Sequence, residues 1–259
     1  MKRLKSITKH KWQAVLALAV LVLLWQGVCS LGLVPEYLLP SPIGVVKAFV
    51  SQFPLLWEHS VITLTEAFLG LVIGVALGFL FAALMDAFEG LYKAVYPLLV
   101  ITQTIPTVAI APLLVLWFGY EMTPKIILIV IVTFFPVTVG LLDGFRSADA
   151  DAIALLRSMG AKRWDIFRHI KFPSSLPQFF SGLRIAAAYS VVGAVISEWL
   201  GGFGGLGVYM TRVKKAFAFD RMFAVIFLIS IISLVLMGLV DLLERRCLKY
   251  RYLDKEEEK

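Results

Sequence analysis

Long apolar runs alternate with short polar or proline-rich segments along almost the whole chain. Six runs are long enough to cross a membrane, because a spanning helix needs about 20 apolar residues. The six runs cover residues 12–35, 60–85, 94–118, 126–142, 176–200 and 222–243. This pattern predicts an all-α polytopic membrane protein with six transmembrane helices. The spans form one membrane domain, residues 12–245, between a short segment, 1–11, and a polar tail, 246–259.

Two of the runs carry features that affect their interpretation. The first follows five basic residues and resembles a cleaved signal peptide, whose apolar core is usually about 7–15 residues long. Its greater length, and the absence of an A-x-A site after it, favour a retained span. The third contains Pro97, Pro106 and Pro112. Prolines are tolerated in a spanning helix where neighbouring helices satisfy the freed carbonyl groups.

The composition supports a membrane location and narrows the function. Hydrophobic residues make up 59% of the 259 positions and charged residues 17%, against about 45–50% and 25% in soluble domains. The mean hydropathy is +0.85. Such a chain has too little polar surface for a water-soluble globule, which disfavours a soluble enzyme and excludes a disordered protein. Only Cys29 and Cys247 could pair, so no disulfide framework is expected.

The basic residues predict the orientation in the membrane. If the N-terminus is cytoplasmic, the cytoplasmic segments hold 18 Lys and Arg, and the opposite face holds 6. The positive-inside rule therefore places both termini in the cytoplasm. A basic cluster on the outer side opposes the trend; it contains Arg212, Lys214, Lys215 and Arg221.

The loop at 143–175 is longer than a simple connection between two spans requires. It predicts two short helices, the first capped by Ser147 and ended by Gly160 in a left-handed conformation, and the second stopped by Pro173. Apolar and aromatic residues on a cytoplasmic loop indicate a docking surface for another protein. The alternative is an amphipathic helix that lies on membrane lipid.

The spacing in this loop resembles that of a known family. Ile170 follows Gly160 by ten residues and Pro173 follows it by thirteen, as in the EAA-x3-G-x9-I-x-L-P loop of membrane permeases of bacterial ABC importers. Phe172 replaces the motif's Leu, and the residues at 154–156 replace its Glu-Ala-Ala. The stretches at 104–121 and 177–207 resemble the branch for nitrate, sulfonate, taurine and thiamine-pyrimidine precursors.

This resemblance implies a type I importer permease fold and a set of partners. ABC ATPase subunits would dock on the loop, an extracellular or periplasmic binding protein would deliver the solute, and a second permease subunit would complete a homodimer. The loop residues expected to couple to the ATPase are Ala154, Leu155, Leu156, Arg157, Met159, Gly160, Trp164, Ile170 and Pro173. No phosphate-binding loop G-x-x-x-x-G-K-[ST] occurs in the chain itself, so ATP hydrolysis must come from a partner.

Several polar and small residues within the spans are candidates for the pathway or for helix packing. Polar groups at membrane depth must face protein or a wet cavity, so the pathway candidates are Thr102, Gln103, Thr104, Thr107 and Glu198. Plain hydrogen bonding between helices is the alternative for the four near Pro106. Three ionisable residues lie in or near the spans, Glu66, Arg184 and Glu198, and structural pairing is the alternative to substrate contact for them. Close packing within or between subunits is expected from a glycine stripe at Gly70, Gly74 and Gly78.

The polar groups of the third and fourth spans predict the solute class. These groups are uncharged: they are five hydroxyls and one amide, on Thr102, Gln103, Thr104, Thr107, Thr133 and Thr138. Together with the resemblance, they favour a thiamine-pyrimidine precursor, with an alkanesulfonate, taurine or nitrate as the alternative. Catalytic residues, a metal, a cofactor and nucleic acid are not expected. A self-contained channel or carrier is one remaining alternative, but it would not need the docking loop. An intramembrane enzyme is the other, but the three His lie near the interfaces and no H-E-x-x-H motif occurs.

Overall fold

The computed structural model describes the backbone of residues 2–249 and the side chains of 12, 13 and 15–249. Within that part of the chain every regular element is helical. Most of the predicted polar tail, residues 250–259, lies outside it. The helices are α1 (Lys2–Ser30), α2 (Pro42–Ser51), α3 (Phe53–Ala87), α4 (Glu89–Thr102), α5 (Thr107–Phe118), α6 (Met122–Arg146), α7 (Ala150–Ser158), α8 (Arg163–Ile166), α9 (Phe172–Trp199), α10 (Leu206–Lys215) and α11 (Phe219–Cys247).

Four helical stretches of the described chain are long and apolar enough to cross a membrane: α3, α6, the run 163–199 and α11. A fifth span is reached if α4 and α5 are taken together, although they are bent by 98°. The apolar part of α1, Val15–Ser30, is shorter than these. The described residues therefore give four or five of the six predicted spans by length and composition. The bend coincides with Pro106, which has no amide hydrogen to continue a helix.

The chain divides into two compact units, and the larger contains residues 59–208 and 229–259. Its core lies mainly between α3, α6 and α9, where Ala82, Leu141 and Ala186 are fully buried. The predicted glycine stripe packs inside this subunit. A Cβ atom on Gly74 would overlap the Thr133 hydroxyl, and one on Gly78 would lie 2.9 Å from Val137. Small residues thus let α3 and α6 approach closely.

The smaller unit contains residues 1–58 and 209–228. Val45 and Ala48 of α2 are buried with Ala224 of α11. The Trp25 ring of α1 packs against Phe223, with ring centroids 5.9 Å apart. At the start of α2, Ser41 accepts a hydrogen bond from the Gly44 amide, as a helix cap does.

The second loop helix differs from its prediction. Pro173 does not stop it: a π-helical turn, Phe167–Lys171, joins α8 to α9, and residues 163–199 form one helical run. Pro173 lies in the first turn of α9. A proline is tolerated there because it follows the π-helical turn, where the hydrogen-bond pattern already departs from that of an α-helix. The loop therefore connects directly to a membrane-spanning helix.

Candidate functional site

A cavity of 420 Å³ lies along the face where α6 and α9 meet. Two amide side chains, two hydroxyl groups, one carboxylate and several apolar groups line it: Gln103, Phe135, Pro136, Val139, Gly140, Asp143, Gln178, Ser181, Gly182, Ile185 and Tyr189. A largely apolar cavity with a few polar groups is typical of small-molecule sites.

Two glycines bring the helices beside this cavity into backbone contact. A Cβ atom on Gly140 would lie 2.7 Å from the Gln178 carbonyl oxygen, and one on Gly182 would overlap the Pro136 carbonyl. Any larger residue would force α6 and α9 apart, because the obstacle in each case is backbone. The shape of the cavity wall therefore depends on these two positions.

Of the predicted pathway residues, Gln103 lines the cavity. It lies in the break between α4 and α5 and is exposed. The exposed Thr102 and Thr104 donate hydrogen bonds to the carbonyls of Leu99 (2.6 Å) and Ile101 (2.8 Å). Both hydroxyls are thus engaged by backbone carbonyls at the end of α4, and the Ile101 carbonyl also accepts the Thr104 amide (3.0 Å). Thr107, in the first turn of α5, is half-buried.

The other hydroxyls of the predicted lining lie elsewhere. Thr133 and Thr138 are fully buried. They donate to carbonyls one turn earlier in α6, at 2.8 Å and 2.7 Å. Besides Gln103, the polar groups of the cavity lining are Asp143 of α6 and Gln178, Ser181 and Tyr189 of α9. Sequence reasoning singled out none of these four. The available signal was that Gln178, Ser181 and Tyr189 share one face of a helix.

Glu198 lies in a buried group of polar side chains that we call the capping cluster: His59, Thr63, Glu66, Lys125 and Glu198. The cluster binds three consecutive backbone amides at the start of α10. The Gly205 amide donates to His59 Nδ1 (3.0 Å), the Leu206 amide to Thr63 Oγ1 (2.8 Å), and the Gly207 amide to Glu198 Oε2 (2.5 Å). These are amides that a helix start leaves without partners.

The geometry explains why the loop before α10 is rich in glycine. Gly205 has φ +114°, a conformation that other residues rarely adopt, and a Cβ atom on it would overlap the Glu198 carboxyl. The Thr63 hydroxyl also donates to Glu198 Oε1 (2.7 Å). Glu198 is only 1% exposed. Its carboxyl contacts the N-terminus of α10, where a negative charge is stabilised.

Lys125 and Glu66 form a buried ion pair within the same cluster. Lys125 Nζ lies 2.6 Å from Glu66 Oε1, and the two side chains are 7% and 2% exposed. Sequence reasoning identified Glu66 as an isolated charge but missed Lys125 as its partner. The signal was the one lysine of α6, in its first turn, and the one acid within the apolar run 60–85 of α3.

Arg184 is the third ionisable residue that the sequence places near the spans. Its guanidinium contacts Asp241 (2.5 Å) and Glu244 (2.6 Å) of α11. This arrangement joins α9 to α11. It corresponds to structural pairing and leaves Arg184 outside the cavity lining.

The helix caps in the loop between α6 and α9 agree with the prediction only in part. Asp149 rather than Ser147 caps α7: its carboxylate accepts hydrogen bonds from the amides of Asp151 and Ala152. Ser147 instead ends α6, donating to the Gly144 carbonyl (2.9 Å). Gly160 has φ +84°, in agreement with the predicted left-handed cap. The chain thereby turns sharply between α7 and α8.

Apolar side chains of this loop are open to the surroundings. Leu155 is 62% exposed, Met159 73% and Trp164 67%. Ala154 and Arg157 are also exposed, whereas Leu156, Ile170 and Pro173 are half-buried. A cavity of 510 Å³ adjoins them, lined by Ala83, Asp86, Ala87, Glu89, Arg157, Arg163, Trp164, Ile166, Phe167 and Lys171.

An ion pair fixes one side of that cavity, since Lys171 Nζ lies 2.6 Å from Asp86 Oδ1. The loop is thus anchored to the end of α3. An apolar, partly aromatic patch on an anchored loop is typical of a protein interface.

The comparisons with known proteins agree with this geometry. Residues 70–249 match the protein family described as "Binding-protein-dependent transport system inner membrane component". A probable ABC transporter permease protein of Haemophilus influenzae is 39% identical over 90% of this chain and 95% of its own length. The formylaminopyrimidine transport permease protein ThiX of Halalkalibacterium halodurans is 38% identical over 94% and 98%.

A putative aliphatic sulfonates transport permease protein, SsuC of Bacillus subtilis, is 29% identical over 94% of this chain and 89% of its own length. Among solved structures, an amino acid ABC transporter superimposes with a TM-score of 0.64 at 19% identity, covering 76% of this chain and 96% of that one. At this identity the likeness shows the fold alone, and that fold is the predicted one.

The helical fold and these matches define a membrane permease, a translocation component rather than an enzyme. The chain belongs to the family of binding-protein-dependent transport system inner membrane components, within the type I ABC importer permeases. Such permeases act with separate ATPase subunits and a solute-binding protein. The alternatives of a self-contained channel, a secondary carrier and an intramembrane enzyme are therefore set aside.

Proposed function

We propose that this permease carries a thiamine-pyrimidine precursor across the plasma membrane. The observation that carries the proposal is the chemistry of the α6–α9 cavity, where the amides of Gln103 and Gln178 and the hydroxyl of Ser181 stand among apolar groups. An aminopyrimidine is a small, flat, neutral solute with hydrogen-bond donors and acceptors on its edge. Amide groups pair with both kinds of group. The 38% identity to a formylaminopyrimidine permease supports the same class.

An alkanesulfonate, taurine or nitrate is the second candidate. Its support is the basic cluster on and after α10, where Arg212, Lys214, Lys215 and Arg221 would attract anions from outside. The same cluster equally suits an acidic surface on the binding protein. It lies outside the α6–α9 cavity lining, so it bears on solute capture rather than on passage.

Uptake into vesicles decides between the two solutes. The complete complex, with its ATPase and cognate binding protein, is reconstituted and supplied with ATP and either formylaminopyrimidine, ethanesulfonate or nitrate. We expect ATP-dependent accumulation of the aminopyrimidine. Accumulation of ethanesulfonate or nitrate without any aminopyrimidine would contradict the proposal.

The surface around α7 and α8 is the proposed ATPase docking site. Its support is the exposed apolar patch of Leu155, Met159 and Trp164, together with the turn at Gly160 that sets the angle between the two helices. A rigid connection from α8 into α9 would carry motion of the ATPase into the wall of the cavity. Co-purification of an ATPase with the wild-type permease, but not with a Trp164→Asp variant, tests this assignment.

The orientation and the subunit composition complete the proposal. Both termini face the cytoplasm, since the 18-to-6 distribution of basic residues strongly favours it. A homodimer follows from the resemblance to type I importers. Cross-linking of the reconstituted complex should yield a permease dimer of one chain type, and a second, different permease chain in the complex would contradict this.

A further inference from the structure

The described lining of the α6–α9 cavity carries a negative charge and no positive one. Among the described residues that line it, Asp143 is the only charged side chain, and neither Lys, Arg nor His is present. Asp143 is exposed in the last turn of α6. In the part of the chain that the structure describes, it forms no ion pair.

The nearest cation along the chain is engaged elsewhere. Arg146 donates to the Tyr92 hydroxyl (2.7 Å) and its guanidinium lies 3.7 Å from the centre of the Tyr92 ring. Asp143 therefore lines the cavity without an ion-pair partner among the described residues.

One amide on the same wall has unused hydrogen-bonding capacity. Gln178 Nε2 donates to Ser147 Oγ (3.3 Å), whereas Gln178 Oε1 is buried and has no hydrogen-bond partner among the described residues. A buried carbonyl oxygen without a donor is costly. A solute that offers an N–H or O–H donor would satisfy it after a small rotation of the side chain.

We propose that Asp143 and Gln178 make the cavity selective for neutral or weakly basic solutes with hydrogen-bond donors, and against anions. The inference rests on the proposed function and deepens it by naming two specificity-determining residues. An anion passing about 4 Å from an unpaired carboxylate is disfavoured between about fivefold in water and about a thousandfold in a partly desolvated site. Sulfonates and nitrate would meet this barrier, whereas an aminopyrimidine would not.

The test measures solute binding to the full-length permease in lipid nanodiscs by saturation-transfer NMR. The probes are formylaminopyrimidine and ethanesulfonate. We expect the wild-type protein to prefer the aminopyrimidine and Asp143→Lys to shift the affinity ratio at least about tenfold toward ethanesulfonate. Asp143→Glu, which keeps the charge, should retain the wild-type ratio. Gln178→Leu should weaken aminopyrimidine binding at least about fivefold, without a gain for ethanesulfonate.

Asp151→Lys is the matched control. Asp151 is also exposed and lies in α7, outside the cavity lining, so the same charge reversal there should leave the ratio unchanged. Thermal unfolding midpoints establish that each variant folds; if Asp143→Lys does not fold, Asp143→Asn replaces it with a smaller shift in the same direction. Equal wild-type binding of both probes, no binding of either, or a ratio that ignores residue 143 would overturn the inference.

The outcomes separate this inference from the proposed function. If the complex takes up the aminopyrimidine with ATP but its selectivity does not change with residue 143, the proposed function stands and the role of Asp143 in selectivity is rejected. If the ratio of the two affinities depends on Asp143 but the complex accumulates a different neutral solute, the role of Asp143 in selectivity is supported and the proposed substrate is rejected.

Discussion

Removing Lys125 tests whether the buried ion pair is essential to the fold. In Lys125→Met, a side chain of similar length replaces the lysine, and the Glu66 carboxylate, 2% exposed, loses the ammonium group 2.6 Å away. Breaking a buried pair by removing one partner costs about 3–5 kcal/mol, because an uncompensated charge is left behind.

The assay is thermal unfolding of the purified permease in detergent, followed by tryptophan fluorescence. A loss of about 3–5 kcal/mol corresponds to a midpoint lower by about 6–20 °C. The double variant Lys125→Met with Glu66→Met should recover most of the loss, since apolar residues of similar volume often replace a buried ion pair without cost.

The chain supplies a control for the same substitution. Lys93 and Glu89 form an ion pair at 2.8 Å whose side chains are 71% and 79% exposed. The pair lowers the pKa of Glu89, but solvent screens its contribution to stability. Lys93→Met should therefore leave the midpoint unchanged. A shift in Lys125→Met no larger than that of Lys93→Met, or a double variant no better than the single one, would refute the reasoning.

Three further predictions concern coupling, packing and topology. Gly160→Val should impair transport more than folding, because a β-branched residue is strained at φ +84° and would misdirect α7 and α8; normal solute-stimulated ATP hydrolysis would contradict this. Gly140→Ala should lower the unfolding midpoint because its Cβ meets the Gln178 carbonyl, whereas Gly238→Ala, in open space, should raise stability by up to about 1 kcal/mol. An impermeant thiol reagent applied to intact cells should miss Cys247 and reach a cysteine introduced by Gly204→Cys, and labelling of Cys247 from outside would reverse the orientation.

The sequence by itself determined the class of element and the family. Long apolar runs gave helices of spanning length at 60–85, 126–142, 176–200 and 222–243, because no other element satisfies its own backbone in lipid. Local chemistry also placed the turn at Gly160, since a left-handed helix cap requires a residue without a Cβ atom. The loop spacing identified the permease family, which the family match confirms.

Local rules were less reliable where two conformations were open to the same residue. Pro173 was expected to stop a helix, but the π-helical turn before it places it in a first turn, where it is tolerated. Ser147 and Asp149 are both good caps, and the structure uses one to end α6 and the other to begin α7.

Only the tertiary structure decided which polar side chains meet. The position of a residue within its apolar run gives its depth in the membrane. Spans that are apolar on every side, however, do not show which way each side chain points. Glu66 and Lys125 are 59 positions apart, and Thr63 and Glu198 are 135 apart. Their partners follow from the packing of α3, α6 and α9. The same packing, set by Gly140 and Gly182, creates the cavity lined by Asp143 and Gln178. A buried charge is stabilised by an opposite charge close to it in space, and the separation of two residues along the chain does not give the distance between them in the fold.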